Sequence, residues 1–168
     1  MQDIFTESGL SAGAVYGYFP SKEALVSAIV QEVLSEITAS FDDALDAAEL
    51  PPLAEVLERF LDVLDKQDNR RDFASLVVQV WAEAVHSPTL GALLAENYRT
   101  LNNAFTRLIK RYQQEGMINP AAKPADIARV LSGMGPGFLF QQALLDSVGA
   151  KAYAKGLYPL LAPTPGAE

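Results

Sequence analysis

The chain has no cysteine, one histidine, one tryptophan and three methionines among 168 residues. Without thiols it can form neither a disulfide framework nor a thiolate metal site. A single imidazole and no thiol leave only carboxylates for acid–base or nucleophilic catalysis. The acidic side chains do not gather for it: Glu55/Glu58 and Asp42/Asp43/Asp46 fall on helix faces turned away from the apolar stripes. No enzyme activity, metal or cofactor is expected. Positive charge is also scarce, with 13 Lys and Arg against 21 Asp and Glu and a formal charge of −8. That balance opposes general affinity for nucleic acid, where phosphate attraction dominates. No apolar run approaches the ~20 residues of a membrane helix, and no signal peptide is visible. A cytoplasmic chain without a membrane partner is expected.

Strand alternation and internal repeats are absent too, and what remains is helical periodicity. An apolar stripe from Val26 through Ile29, Val30, Val33, Ile37 and Phe41 to Leu45 predicts one long helix over 21–47. Pro51 and Pro52 open a second helix, with Leu57, Phe60, Leu61 and Leu64 on one side. After the polar loop KQDNRRD, residues 73–85 are apolar nearly all round, which predicts a buried central helix. Pro88 opens a long helix ending at Gly116. A further helix is expected over 124–146, kinked at Pro136, and a last one over 150–161, before an unstructured tail, APTPGAE. The run Gly133-Met134-Gly135-Pro136-Gly137 lacks the lysine and Ser/Thr of a phosphate loop. Its small residues at 133 and 137 predict close helix packing. His86, just before Ser87-Pro88, is expected to cap helix carbonyls.

The densest signal is SGLSAGAVYGYFPSKEAL, residues 8–25. Gly9 suits a left-handed reversal after a helix, and Ser11 is a good N-cap. The short helix that follows is stopped by Pro20. Ser21 then caps the long helix, with Glu23 in its first turn. Val15 and Phe19 share one face as core anchors, and residues 11–14 are small enough to approach another surface closely. Tyr16, Tyr18 and Lys22 offer hydroxyl and ammonium donors suited to phosphate oxygens.

Gly9 through Leu25 match, at every fixed position, the pattern G-[LV]-S-x-[GA]-x-[LVI]-Y-x-[YH]-F-x-[SN]-K-[ED]-x-L. The chain thereby resembles the TetR/AcrR family of bacterial transcriptional regulators. The resemblance implies an all-α protein: a helix-turn-helix DNA-binding domain over 1–38 and a larger helical effector-binding and dimerisation bundle over 39–168. It assigns Ser11, Ala12, Gly13, Ala14, Tyr16, Gly17, Tyr18 and Lys22 to double-stranded operator DNA. It implies a repressor released by a small, largely apolar effector. Val77, Trp81, Tyr98, Leu101, Asn102, Phe105, Phe138 and Gln142 are the expected lining, with Asn102 or Gln142 orienting the ligand. A homodimer through the last two helices follows by the same resemblance, with Leu139, Leu144, Leu145, Leu157 and Leu160 as contacts.

The family normally carries another helix and a basic arm before the point that is Met1 here. Truncation at the N-terminus is therefore expected, and a stop codon immediately upstream in frame would exclude it. Residues 1–47 hold eight acidic side chains and one basic, Lys22. Asp42, Asp43 and Asp46 would lie ~30 Å along the long helix from its start, several Debye lengths away at physiological salt. The contrasting reading is a helical effector-binding dimer that has lost operator binding and acts through a partner protein. Operator binding with the N-terminal helix restored separates the two.

Overall fold

A computed structural model describes residue 19 and residues 21–66, 70–145 and 149–161. The described residues form helices α1 (Lys22–Asp46), α2 (Leu53–Asp65), α3 (Arg70–Ala84) and α4 (Pro88–Gln114), followed by α5 (Pro124–Ser132), α6 (Met134–Leu144) and α7 (Ala150–Leu161). Helix ends follow local chemistry. The Ala24 amide donates to Ser21 Oγ at 3.1 Å and starts α1. The Leu90 amide donates to Ser87 Oγ at 3.3 Å and starts α4, with Pro88 where no intrahelical donor is required. Gly116, at φ 72°, ends α4 as the Met117 amide reaches back to Tyr112 O and the Gly116 amide to Gln113 O. This double bond across a left-handed residue satisfies carbonyls that the helix end would orphan.

The bundle closes where α1, α2 and α4 cross. Phe41, Phe60 and Phe105 meet there, with ring centroids 4.7 Å (Phe41–Phe105), 5.3 Å (Phe60–Phe105) and 6.1 Å (Phe41–Phe60) apart. All three are fully buried. Helix α4 also packs on α3 and α5, while α2 packs on α6 and α7. The Tyr112 hydroxyl donates to Pro51 O, tying the end of α4 to the α1–α2 loop. Burial pushes that hydroxyl up to about 12, with the nearby Glu55 carboxylate adding to the rise.

Asp65 joins four elements. Its carboxylate accepts from Arg70 Nη1 at 3.0 Å and from the Ala150 amide at 3.1 Å, and it also accepts from Gln142 Nε2. The end of α2, the starts of α3 and α7 and the last turn of α6 are thus held by one side chain. Arg70 also brings KQDNRRD partly into helix, so α3 begins three residues before the expected Phe73.

Four expectations change. The single helix over 124–146 is two, and the break lies at Gly133, before the expected kink. Pro136 has no amide for Ser132 O and its ring crowds that carbonyl, so the chain turns within the preceding residues. The close approach also lies elsewhere. A Cβ on Gly135 would stand 3.0 Å from Phe60 Cζ, whereas one on Gly137 would meet only Tyr153 Oη at 3.7 Å. Residues 73–85 are not a buried central helix: of α3 only Ala74 and Val80 are fully buried. One apolar side of α3 packs on α6 and the other faces a cavity. Lastly, Glu23–Asp46 is long and apolar enough to cross a membrane by length and composition. In the bundle that apolar side packs on α2 and α4 and walls the same cavity.

Two outcomes test this packing. A Cβ on Gly91 would stand 2.8 Å from the Ala84 carbonyl oxygen, so Gly91→Ala forces the α3–α4 corner apart and costs about 1–3 kcal/mol in chemical unfolding. Because folded Tyr112 keeps its proton past the ordinary value near 10, the unfolded chain releases it first. Stability therefore falls as pH rises from about 10 to 12. Tyr112→Phe flattens that fall relative to the parent in melting temperatures taken across the window.

Candidate functional site

Helices α1, α3 and α4 part above the phenylalanine crossing and border a cavity of about 410 Å³ that is open on one side. Helix α1 supplies Ile29, Val30, Val33, Leu34 and Ile37, and α3 supplies Phe73, Val77 and Trp81. Helix α4 adds Leu94, Ala95, Asn97, Tyr98 and Leu101, while Gly135, Pro136 and Leu139 of α6 and Phe60 and Leu64 of α2 close the rest. A smaller cavity of about 70 Å³ shares Ile29, Val30, Phe73, Val77, Trp81 and Leu94 with it and extends to Leu25 and Val26. The void exists because these apolar side chains, spaced for one face of each helix, cannot reach across the gap.

Among the described residues, no charged residue and no histidine lines the larger cavity. Of its lining residues only Trp81, Asn97 and Tyr98 carry a polar side-chain group, and the wall surface is almost wholly apolar. Asn97 Nδ2 donates to Leu93 O at 2.8 Å. Its partner must be an acceptor, which fixes the amide orientation and leaves Oδ1 as the side chain's acceptor. Tyr98 is 40 % exposed and stands at the rim.

Of the eight side chains expected around an effector, Val77, Trp81, Tyr98 and Leu101 line the cavity. The other four do not. Phe105 belongs to the aromatic crossing, and Phe138 packs edge-on against Tyr153 at 5.5 Å. Asn102 donates to Tyr98 O and accepts from Ser132 Oγ at 3.1 Å, tying α4 to α5. Gln142 is buried against Asp65. Sequence reasoning missed the α1 wall, Phe73 and Asn97. The α1 stripe was visible, but periodicity does not distinguish a face that meets atoms from one that meets a void. Asn97 lies five residues before Asn102 in α4, and no sequence signal separated the two.

The eight residues assigned to DNA fall outside the described residues, apart from the backbone of Lys22, the first residue of α1. The tail from 162 lies outside them as well. Of the expected dimer contacts, Leu139 is buried in the core and Leu157 packs against it. Leu144 (61 % exposed), Leu145 and Leu160 (80 % exposed) face outward with Phe140. His86 is exposed, and its side chain makes no hydrogen bond among the described residues. Among those residues no three His, Cys, Asp or Glu side chains gather as metal ligands.

A long helix that follows a segment with the sequence pattern of a helix-turn-helix, and then walls an apolar cavity, is the layout of a helical transcriptional regulator. Residues 52–157 match the BetI-type transcriptional repressor C-terminal family, and residues 1–29 match the bacterial regulatory proteins of the tetR family. The chain belongs to the TetR family, and it is accordingly a transcriptional regulator of the DNA-binding, helix-turn-helix type and not an enzyme. It is 25% identical over 161 residues to the regulator UidR of Escherichia coli K12, covering 96% of this chain and 80% of UidR. It is 28% identical to YfiR of Bacillus subtilis, an uncharacterized HTH-type regulator, covering 94% and 75%. The structure of Salmonella enterica GusR superposes with a TM-score of 0.70 at 26% identity, covering 96% of this chain and 81% of GusR.

Core and wall are separable by truncation. Phe105→Ala removes a ring from the aromatic crossing and costs about 3–5 kcal/mol. Leu94→Ala already borders empty space, and its cost stays under about 1.5 kcal/mol, because it forfeits few contacts. Equilibrium denaturation of both variants measures the difference.

Proposed function

We propose that the protein is a homodimeric repressor released from operator DNA when a small, largely apolar effector occupies the α1–α3–α4 cavity. The observation that carries the reading is the double use of α1. Its first turn adjoins the DNA-reading motif, and Ile29, Val30, Val33, Leu34 and Ile37 wall the cavity. Whatever fills that space presses on the helix that continues from the DNA-reading motif. Ser11, Ala12, Gly13, Ala14 and Gly17 lie near base edges in this reading, and Tyr16, Tyr18 and Lys22 hold backbone phosphates. Val77, Trp81, Tyr98 and Leu101 touch the effector, and Asn102, Phe105, Phe138 and Gln142 hold the helices behind them. Such a regulator works in the cytoplasm, where the DNA is.

Two recognition helices must meet successive major grooves ~34 Å apart, so a dimer is part of the mechanism. Supporting it, Phe140, Leu144, Leu145 and Leu160, on or beside the last two helices, are exposed apolar side chains. A second copy brought against them by its twofold axis would cover them in both.

Mobility-shift titration of DNA from the 5′ flank of the protein's own coding sequence tests the reading. Lys22→Ala weakens binding to every sequence and lowers the salt slope by about 1. The double variant Leu144→Arg and Leu160→Arg sediments as a monomer and loses the shift. Undiminished operator binding by that monomer overturns the dimeric mechanism, and an unchanged salt slope removes Lys22 from the phosphate contacts.

A further inference from the structure

Resting on the effector reading above, we infer that the ligand is an uncharged, mainly aliphatic or aromatic molecule bearing one small neutral polar group, such as a hydroxyl, and that ionised molecules are rejected. The argument is the donor set. A carboxylate or ammonium carried below the open side of the cavity would leave water for walls on which the described residues offer no opposite charge. An unpaired ion in apolar surroundings is strongly disfavoured. Neutral polar atoms fare differently, because they lose less on leaving water and two of the lining residues, Asn97 and Trp81, carry an unpaired neutral polar atom. Asn97 Oδ1 is free to accept, its Nδ2 being committed to Leu93 O. The Trp81 indole N–H has no acceptor among the described residues and is free to donate. A hydroxyl both donates and accepts, so it can use either. At about 410 Å³ the cavity also falls in the ordinary size range for small-molecule sites.

Trp81 is the only tryptophan and stands in the wall, so its emission reports occupancy directly. Titration with decan-1-ol, decanoate and decyltrimethylammonium, each below its aggregation threshold at pH 7, varies the head group on one chain. Decan-1-ol is expected to shift Trp81 emission saturably, and both ions to bind at least tenfold more weakly. Ala95→Lys, at an exposed rim position, supplies the missing cation and is expected to bring decanoate within about threefold of decan-1-ol. Asn97→Leu is expected to weaken decan-1-ol several-fold, and an unchanged affinity removes Asn97 from the recognition. Val77→Phe and Val33→Phe fill the space, and either one that retains the helical circular-dichroism spectrum should abolish the shift. If the parent binds decanoate as tightly as decan-1-ol and the filling variants abolish both, the cavity stands as a ligand site and the neutral-head inference is overturned. If none of the three probes moves the emission, the effector reading of the cavity falls, and this inference with it.

Discussion

The contact on which the bundle depends is the meeting of Phe41, Phe60 and Phe105. Three rings from three helices far apart in sequence, all buried, fix α1, α2 and α4 at one point. Each ring buries an area large enough to dominate its neighbourhood. From Phe41 back to Ile29 is twelve residues of α1, ~18 Å of helix, and over that length burial falls away. Ile37, Phe41 and Ala44 are buried, while the side chains from Ala24 to Val30 are only partly so. The helix is anchored at its C-terminal end, and its other end borders a void. Distance from the rings therefore creates the cavity, with no special cavity motif required.

What could be read from the sequence follows from the range of each interaction. Caps and stops act over three or four residues, so Ser21, Pro88 and Gly116 were legible, and each marks the helix end it implied. The break near Pro136 was legible as a disturbance but misplaced, because the carbonyl that the ring crowds belongs to Ser132 and the chain can relieve that conflict anywhere between. The apolar faces of α1, α3 and α4 were legible as inward. Their division into core and wall was not, since it depends on how far the facing helices stand apart. Asn97 and Asn102 make the case: five residues turn a helix through about 140°. The later amide therefore meets Ser132 of α5, and the earlier one meets the cavity. The partnership of Gln142 with Asp65 spans 77 residues and could not be seen in any local pattern.

The charge balance, which weighed against DNA binding at first sight, is distributed in a way that softens the objection. Asp42, Asp43 and Asp46 sit at the far end of α1 from Ser21, and Asp42 is already paired with Arg107 of α4 at 3.2 Å. Other cations are similarly occupied on the surface, Arg59 by Glu55 and Arg111 by Glu115. Such exposed pairs add little stability, but they neutralise the bundle locally. With separations beyond a Debye length, the net charge of the whole chain says little about the field at its N-terminal end.

The same uneven packing bears on how a ligand could act. A segment with few buried contacts opens at lower free energy than the core around it. The N-terminal half of α1 is such a segment, since its inward face meets space where the C-terminal half meets Phe60 and Phe105. A molecule filling that space would supply the missing contacts and favour whichever position of α1 fits it best, in proportion to ligand concentration over its dissociation constant. A well-packed wall would gain nothing from a ligand and could not be shifted by one. The void is thus a standing deficit of stability in the helix that continues from the DNA-reading motif, and in the proposed mechanism that deficit would be the lever through which a small molecule changes the spacing of two such motifs.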